Sequence, residues 1–266
     1  MSALENNTIS GRSPWEVNYS ILSSMVTRNL QLKFHSSVRG FAWMLVGPLL
    51  LMALLILVFT YVVRIPIDNY WAFLISGYFA WHFFNNCVNY SANVLEEHGT
   101  LIRNFRFPCE LAVVAGAISR LAEFLIEIII IVLVLAVFHH GALTLGLIFL
   151  PLVIVLQLLL VIGPMLIIAT LGAFNEDLKH MLPLFLMALF YATPIFYTVE
   201  LVPNNMQWFF YLNPVAQLMI CFHEILYHGT APPLTNILLL AAQATVLCAI
   251  GYQLFDRYRG RFADVA

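Results

Sequence analysis

"LEEHGTLIRNFRFPCEL", Leu95 to Leu111, places Glu96, Glu97, Arg103, Arg106 and Glu110 in a chain that is only 10% charged overall. Long apolar stretches lie on both sides of it. An ionised side chain at the centre of a bilayer costs about 3 kcal/mol or more, so five of them cannot lie in lipid. The segment must face water, or a protein that meets the membrane from water. The stretches around it are therefore the ones to read as membrane spans.

The composition agrees. The chain has 266 residues, 62% of them hydrophobic, with a mean hydropathy of +0.88. A soluble domain of this length cannot hide so much apolar surface, whereas a helical membrane protein need not. The net charge of −2 gives no sign of a nucleic-acid partner. Cys87, Cys109, Cys221 and Cys248 lack the paired spacing of a zinc site or a disulfide framework. Residues 1–12 are polar and the first long apolar run begins near Phe41, which does not read as a signal peptide. The expectation is one all-α membrane domain over residues 1–266, with a core at 41–255 and a cytoplasmic tail at 256–266.

A helix needs about 20 mostly apolar residues to cross the hydrocarbon core. Six stretches qualify, at 41–63, 71–94, 111–137, 144–173, 180–198 and 235–255. Pro151 and Pro164 are expected to kink the fourth, because each removes a backbone donor. With both termini cytoplasmic, ten of the twelve lysines and arginines fall inside, Arg64 falls outside and Arg120 lies within the third span. That asymmetry orients the protein and puts Leu95–Leu111 in the cytoplasm.

Ser13-Pro14-Trp15-Glu16 reads as a helix start, with Ser13 and Glu16 forming a capping box. Trp15, Tyr19, Leu22 and Val26 then recur at helical spacing, which predicts an amphipathic interfacial helix over 13–35. Residues 199–234 hold no lysine or arginine and include Trp208-Phe209-Phe210-Tyr211. So apolar an external segment reads as short re-entrant helices, sheltered by protein. Trp208, Phe209 and Tyr211 are its candidate external gate.

Catalytic chemistry is absent from the sequence pattern. His223 and His228 flank a Glu-containing run, but their spacing of five rotates the second histidine away on an α-helix, so no metal site is expected. No Gly-Lys-Ser/Thr occurs, so the chain has no P-loop of its own. In the second span, Trp71, Tyr78, His82, Asn86, Asn89 and Asn93 fall within about 60° of one helical face. They are either hydrogen-bonding glue between helices or the wall of a path, where amides bind hydroxyls and rings stack on sugar faces. In the third span Arg120, Glu123 and Glu127 share a face. Arg120 can pair with Glu123 at i, i+3, which leaves Glu127 in need of a partner or a proton; otherwise the span begins later and Arg120 is interfacial.

The order of these features resembles the membrane permease subunit of bacterial second-class ABC exporters, particularly those carrying O-antigen, capsular or teichoic-acid polymers. The resemblance rests on the amphipathic helix, the charged segment ending at Pro108, "FNEDLKHMLPLF" (174–185), "ATPIFY" (192–197) and "YLNP" (211–214). Where the family often has Arg before the aspartate matched by Asp177, this chain has Glu176. The resemblance implies six spans, a homodimer in the bacterial cytoplasmic membrane, and two copies of an ABC ATPase that hold the ATP and Mg, with no cofactor on this chain. It implies a lipid-linked glycan as substrate and no nucleic acid. It also makes the helix near Thr100–Arg106 a coupling helix seated on the ATPase, with Leu101, Ile102 and Phe105 on one side and Arg103 and Arg106 at the rim. An ABC permease for a drug or lipid, and an ATP-independent carrier using Glu123 and Glu127, are the alternatives.

Overall fold

The computed structural model describes residues 13–34, 38–104, 108–139 and 144–262, and among these the regular structure is entirely helical. Helix α1 (Pro14–Phe34) starts at the predicted capping box. Ser13 Oγ accepts from the Glu16 N–H at 3.3 Å, and the Ser13 N–H donates to the Glu16 carboxylate at 3.0 Å. The C-terminal half of α1 packs through Leu22, Met25 and Val26, whereas Trp15 and Tyr19 project outward. The predicted apolar stripe therefore divides, one half facing protein and the other free to anchor at an interface.

Helix α2 (Val38–Leu57) runs on into a π-helical turn, Val58–Val63. Helix α3 (Tyr70–Ser91) is followed by two short helices, α4 (Val94–Glu97) and α5 (Gly99–Asn104), and by the long α6 (Cys109–Phe138). Next come α7 (Leu150–Phe174) and α8 (Glu176–Tyr191). The chain closes with α9 (Trp208–Leu212), α10 (Pro214–His223) and α11 (Leu234–Tyr258).

Pro151 sits in the first turn of α7, where its missing N–H suits the helix start, directly after a 3-10 turn over Leu145–Phe149. Pro164 lies inside α7, which continues through it. The fifth predicted span ends at Tyr191, not 198, because Thr193 precedes Pro194 and is pushed out of helical backbone.

Among the described residues, four segments are long and apolar enough to cross a bilayer: Val46–Val63, Cys109–Phe138, Leu145–Phe174 and Leu234–Arg261. This makes the chain a multi-pass membrane protein. Helices α7 and α11 form its closest pair, and they touch through backbone. A Cβ at Gly163 would lie 2.5 Å from the Leu247 carbonyl carbon, and one at Gly251 would lie 2.4 Å from the Gly163 oxygen. Helix α10 is buried against α3, α7 and α11, which accounts for the apolar residues of 214–223, whereas much of α9 stays exposed. One end of the bundle is tied by ion pairs, Lys179 with Glu96 and Arg259 with Glu110, the latter at 3.2 Å. The α9–α10 end is tied by rings and amides, including His139 stacked on Tyr227 at 5.5 Å.

Candidate functional site

A cavity of about 420 Å³ opens between α2, α3 and α8. Its walls differ in chemistry. Helix α3 contributes Tyr78, His82, Asn85 and Asn89 beside Trp81, whereas α2 contributes Leu51 and Leu55, and α8 contributes Pro183, Leu186, Met187, Phe190 and Tyr191. The groove is thus mostly polar on one side and mostly apolar on two, with the Tyr191 phenol the exception on α8. The two asparagines form a ladder one helical turn apart, with Asn89 Nδ2 donating to the Asn85 backbone oxygen at 3.0 Å and to its side-chain oxygen at 3.2 Å.

His82 is the best-supported side chain of this wall. The Asn86 amide nitrogen lies 3.1 Å from His82 Nε2. The same nitrogen lies 3.5 Å from Nδ1, so the amide sits over the ring, and Nδ1 lies 3.6 Å from the Glu127 carboxylate on α6. Tyr78 stacks on the imidazole at 6.2 Å between centroids. Glu127 is only 4% exposed, so its packing holds the histidine from behind. The expected Arg120–Glu123 pair is not formed. Lys33 of α1 takes Glu123 at 2.6 Å, and Arg120 donates to the Gly116 oxygen at 3.2 Å while its guanidinium lies 3.6 Å from the Tyr90 ring centre. Glycine at 116 permits this, since a Cβ there would strike the Tyr90 ring at 2.2 Å.

Of the six predicted path residues, Tyr78, His82 and Asn89 line the groove. Asn86 serves His82. Trp71 packs edge-on to His139 at the α9–α10 end, at 6.4 Å, and Asn93 is exposed at the opposite end, just before α4. Asn85 was missed, although it falls about 20° from Tyr78 at 100° per residue. The α2 and α8 walls carried no comparable signal, because apolar residues on a membrane helix suit lipid, protein or a cavity equally.

A second, smaller cavity of about 170 Å³ begins near Phe73 and lies among the 194–200 segment, α9, α10 and the start of α11. His223 and His228 both line it. The turn Glu224–His228 is π-helical, with bonds from i to i+5, so the rotation expected for an α-helix does not apply there. No group of three or more His, Cys, Asp or Glu side chains among the described residues is arranged to hold a metal ion.

The groove and its flanking helices fall within a recognised membrane family. Residues 21–227 match the ABC-2 type transporter family. The chain belongs to that family. It is 27% identical over 247 residues to the O-antigen export system permease protein RfbA of Klebsiella pneumoniae, covering 93% of this chain and 95% of that protein. A protein of the same name from Myxococcus xanthus is 27% identical over 246 residues, 92% of this chain and 94% of the relative. The polysialic acid transport protein KpsM of Escherichia coli is 22% identical over 250 residues, 92% and 95% of the two chains.

The motifs that carried the resemblance turn out to be helix ends of this ABC-2 chain. Asn175 caps α8, its side chain accepting from the Asp177 N–H at 3.1 Å. Glu176 and Asp177 then fill the first turn, where the helix dipole favours acids, so Glu176 suits its place as well as an arginine would not. Asn213 of "YLNP" caps α10, accepting from the N–H groups of Val215 and Ala216 at 3.0 and 3.3 Å, with Pro214 in the first turn. Its amide also donates to Thr193 of "ATPIFY" at 3.1 Å, which joins the end of α8 to the start of α10.

Trp208, Phe209 and Tyr211 are exposed on α9, and Tyr211 lines the smaller cavity. Among the coupling residues, Leu101, Ile102 and Arg103 lie on α5, and Phe105 and Arg106 lie outside the described residues. Ile102 is 8% exposed and packs in the protein's own core.

Proposed function

We propose that this chain is the membrane-spanning subunit of an ATP-driven exporter that moves a lipid-linked polysaccharide out of the bacterial cytoplasm. The observation that carries the reading is the groove itself, with amides, imidazole and phenol on α3 facing a largely apolar α2 and α8. Amides bind sugar hydroxyls and rings stack on sugar C–H faces, while smooth apolar walls let a chain slide. The names of the relatives, over more than nine-tenths of this chain, point to the same substrate class.

In this reading α3 and α8 complete six spans, with the termini and α4–α5 cytoplasmic and α9–α10 re-entrant from outside in the inner membrane. Each protomer supplies half a passage, so two copies assemble with their grooves inward. Two ABC ATPase subunits bind beneath and hold ATP and Mg; this chain transmits their closure through α5 and the residues after it. A carrier driven by protons through Glu123 and Glu127 is less consistent with the structure, because Lys33 and His82 already face those carboxylates.

Cysteine labelling tests the passage. Asn85→Cys and Asn89→Cys should react with a water-soluble thiol reagent in the assembled complex, in a background where the partly exposed Cys248 is replaced by serine and the native Cys87 and Cys221 are buried. Protection of both positions alongside reaction at lipid-facing Leu54→Cys would refute the passage. Purification should bring down a P-loop ATPase, and its absence would refute the ATP-driven reading.

A further inference from the structure

We propose that the smaller cavity is a subsite for one uncharged sugar ring, and that the exported polymer carries no carboxylate or phosphate along its repeat. This rests on the exporter reading above. At about 170 Å³ the cavity holds a single six-membered ring, the space of roughly five or six water molecules.

Its surface is made for hydroxyl groups. Asn236 Nδ2 donates to Gln217 Oε1 at 3.0 Å, and Gln217 Nε2 donates to the Phe210 oxygen at 2.7 Å, so the amides are held in place before anything binds. Each amide oxygen keeps acceptor capacity for a sugar hydroxyl. Tyr197 and Tyr211 supply ring faces and edges at the mouth. The His223 ring is 7% exposed, stacked on Phe73 at 4.1 Å and packed over Gly77, with its Nε2 unpartnered among the described residues. That nitrogen faces the α3 backbone at Gly77, so His223 contributes a fixed ring to the cavity wall and no hydrogen bond to a ligand.

Charge decides the class of sugar. Glu200 and Glu224 line the cavity and no lysine or arginine does. Residues 199–234 contain neither cation, and the larger groove is lined by none. Glu224 accepts from the Thr230 hydroxyl at 2.6 Å, and the Glu200 carboxylate makes no ion pair among the described residues. An acidic sugar would meet two carboxylates with no lysine or arginine to pair, His223 and His228 being the remaining titratable side chains of the lining, in a site partly shielded from water. An uncharged sugar needs only acceptors for its hydroxyls, and the carboxylates and amides are acceptors.

The test uses the full permease–ATPase complex bearing Thr198→Cys, a position that lines the cavity outside the polar set. Maltoheptaose, an uncharged oligomer, should slow reaction of that cysteine with a thiol reagent, and an oligosialic acid of the same length should not. Asn236→Leu should weaken the protection about fivefold, the worth of one neutral hydrogen bond. Glu200→Lys with Glu224→Gln should let the acidic oligomer protect. Equal protection by both oligomers in the unaltered cavity, or protection by neither, would overturn the proposal, and this comparison does not depend on the variants folding. If Asn85→Cys and Asn89→Cys label while Thr198→Cys is never protected, the subsite alone falls; if the groove positions do not label, the passage itself falls.

Discussion

Replacing Gly163 with alanine places a methyl carbon 2.5 Å from the Leu247 carbonyl carbon, 2.6 Å from its oxygen and 2.7 Å from the Cys248 nitrogen. All three are backbone atoms of α11, so no side chain can turn aside. Non-bonded heavy atoms rest at about 3.5–4.0 Å, so α7 and α11 must part by about 1 Å at the crossing. Overpacking costs about 1–3 kcal/mol where side chains can yield, and a backbone clash belongs at the upper end. Alanine's better helix propensity returns up to about 1 kcal/mol, which leaves a net loss of about 2 kcal/mol, or some thirtyfold in the folded-to-unfolded ratio. Thermal unfolding of the purified protein in detergent, followed by a dye that reacts with newly exposed Cys87 and Cys221, reads this directly. Gly47→Ala is the control, since a Cβ there meets nothing within 4 Å. Gly163→Ala unfolding at or above the temperature of the unaltered protein would refute the backbone crossing.

Three other outcomes are expected. Glu127→Leu removes the acceptor that His82 Nδ1 faces and should destabilise by about 1–2 kcal/mol, within the range of polar contacts between membrane helices; Glu127→Gln keeps an acceptor and should lose less in the same melt. Asn213→Ala loses the α10 cap and the bond to Thr193, about 1–2 kcal/mol, whereas Asn213→Asp keeps the cap and should fall between. Phe105→Ala should leave the permease in the membrane but reduce the ATPase that co-purifies; normal export with the ATPase bound as before would show that the segment is only a connector.

Much of the helical layout was legible because helix ends are local. Ser13 with Glu16 reads as a capping box because the two lie three apart. Asn175 with Asp177 and Asn213 with Val215 are just as local, but in the sequence reading they stand only within motifs and not as caps. The polar face of α3 was legible for a similar reason, since a constant rotation per residue turns spacing into direction. That rule also shows its limit at Asn86, Trp71 and Asn93, which share the face but not the groove. A direction around a helix says nothing about what stands opposite at each level.

By itself, then, the sequence determined a helical membrane chain, where most of its helices begin, and which face of α3 is polar. Only the tertiary structure decided how that face is used. Lys33 reaches Glu123 across 90 positions of sequence, and Glu127 on α6 stands behind His82 on α3. Ile102 fills the protein's own core, and leucines of α2 and α8 close the groove as they would equally have faced lipid. A carboxylate takes whichever cation packing brings within a few ångströms, and the energy of that choice depends on position and burial, which no local run of residues contains.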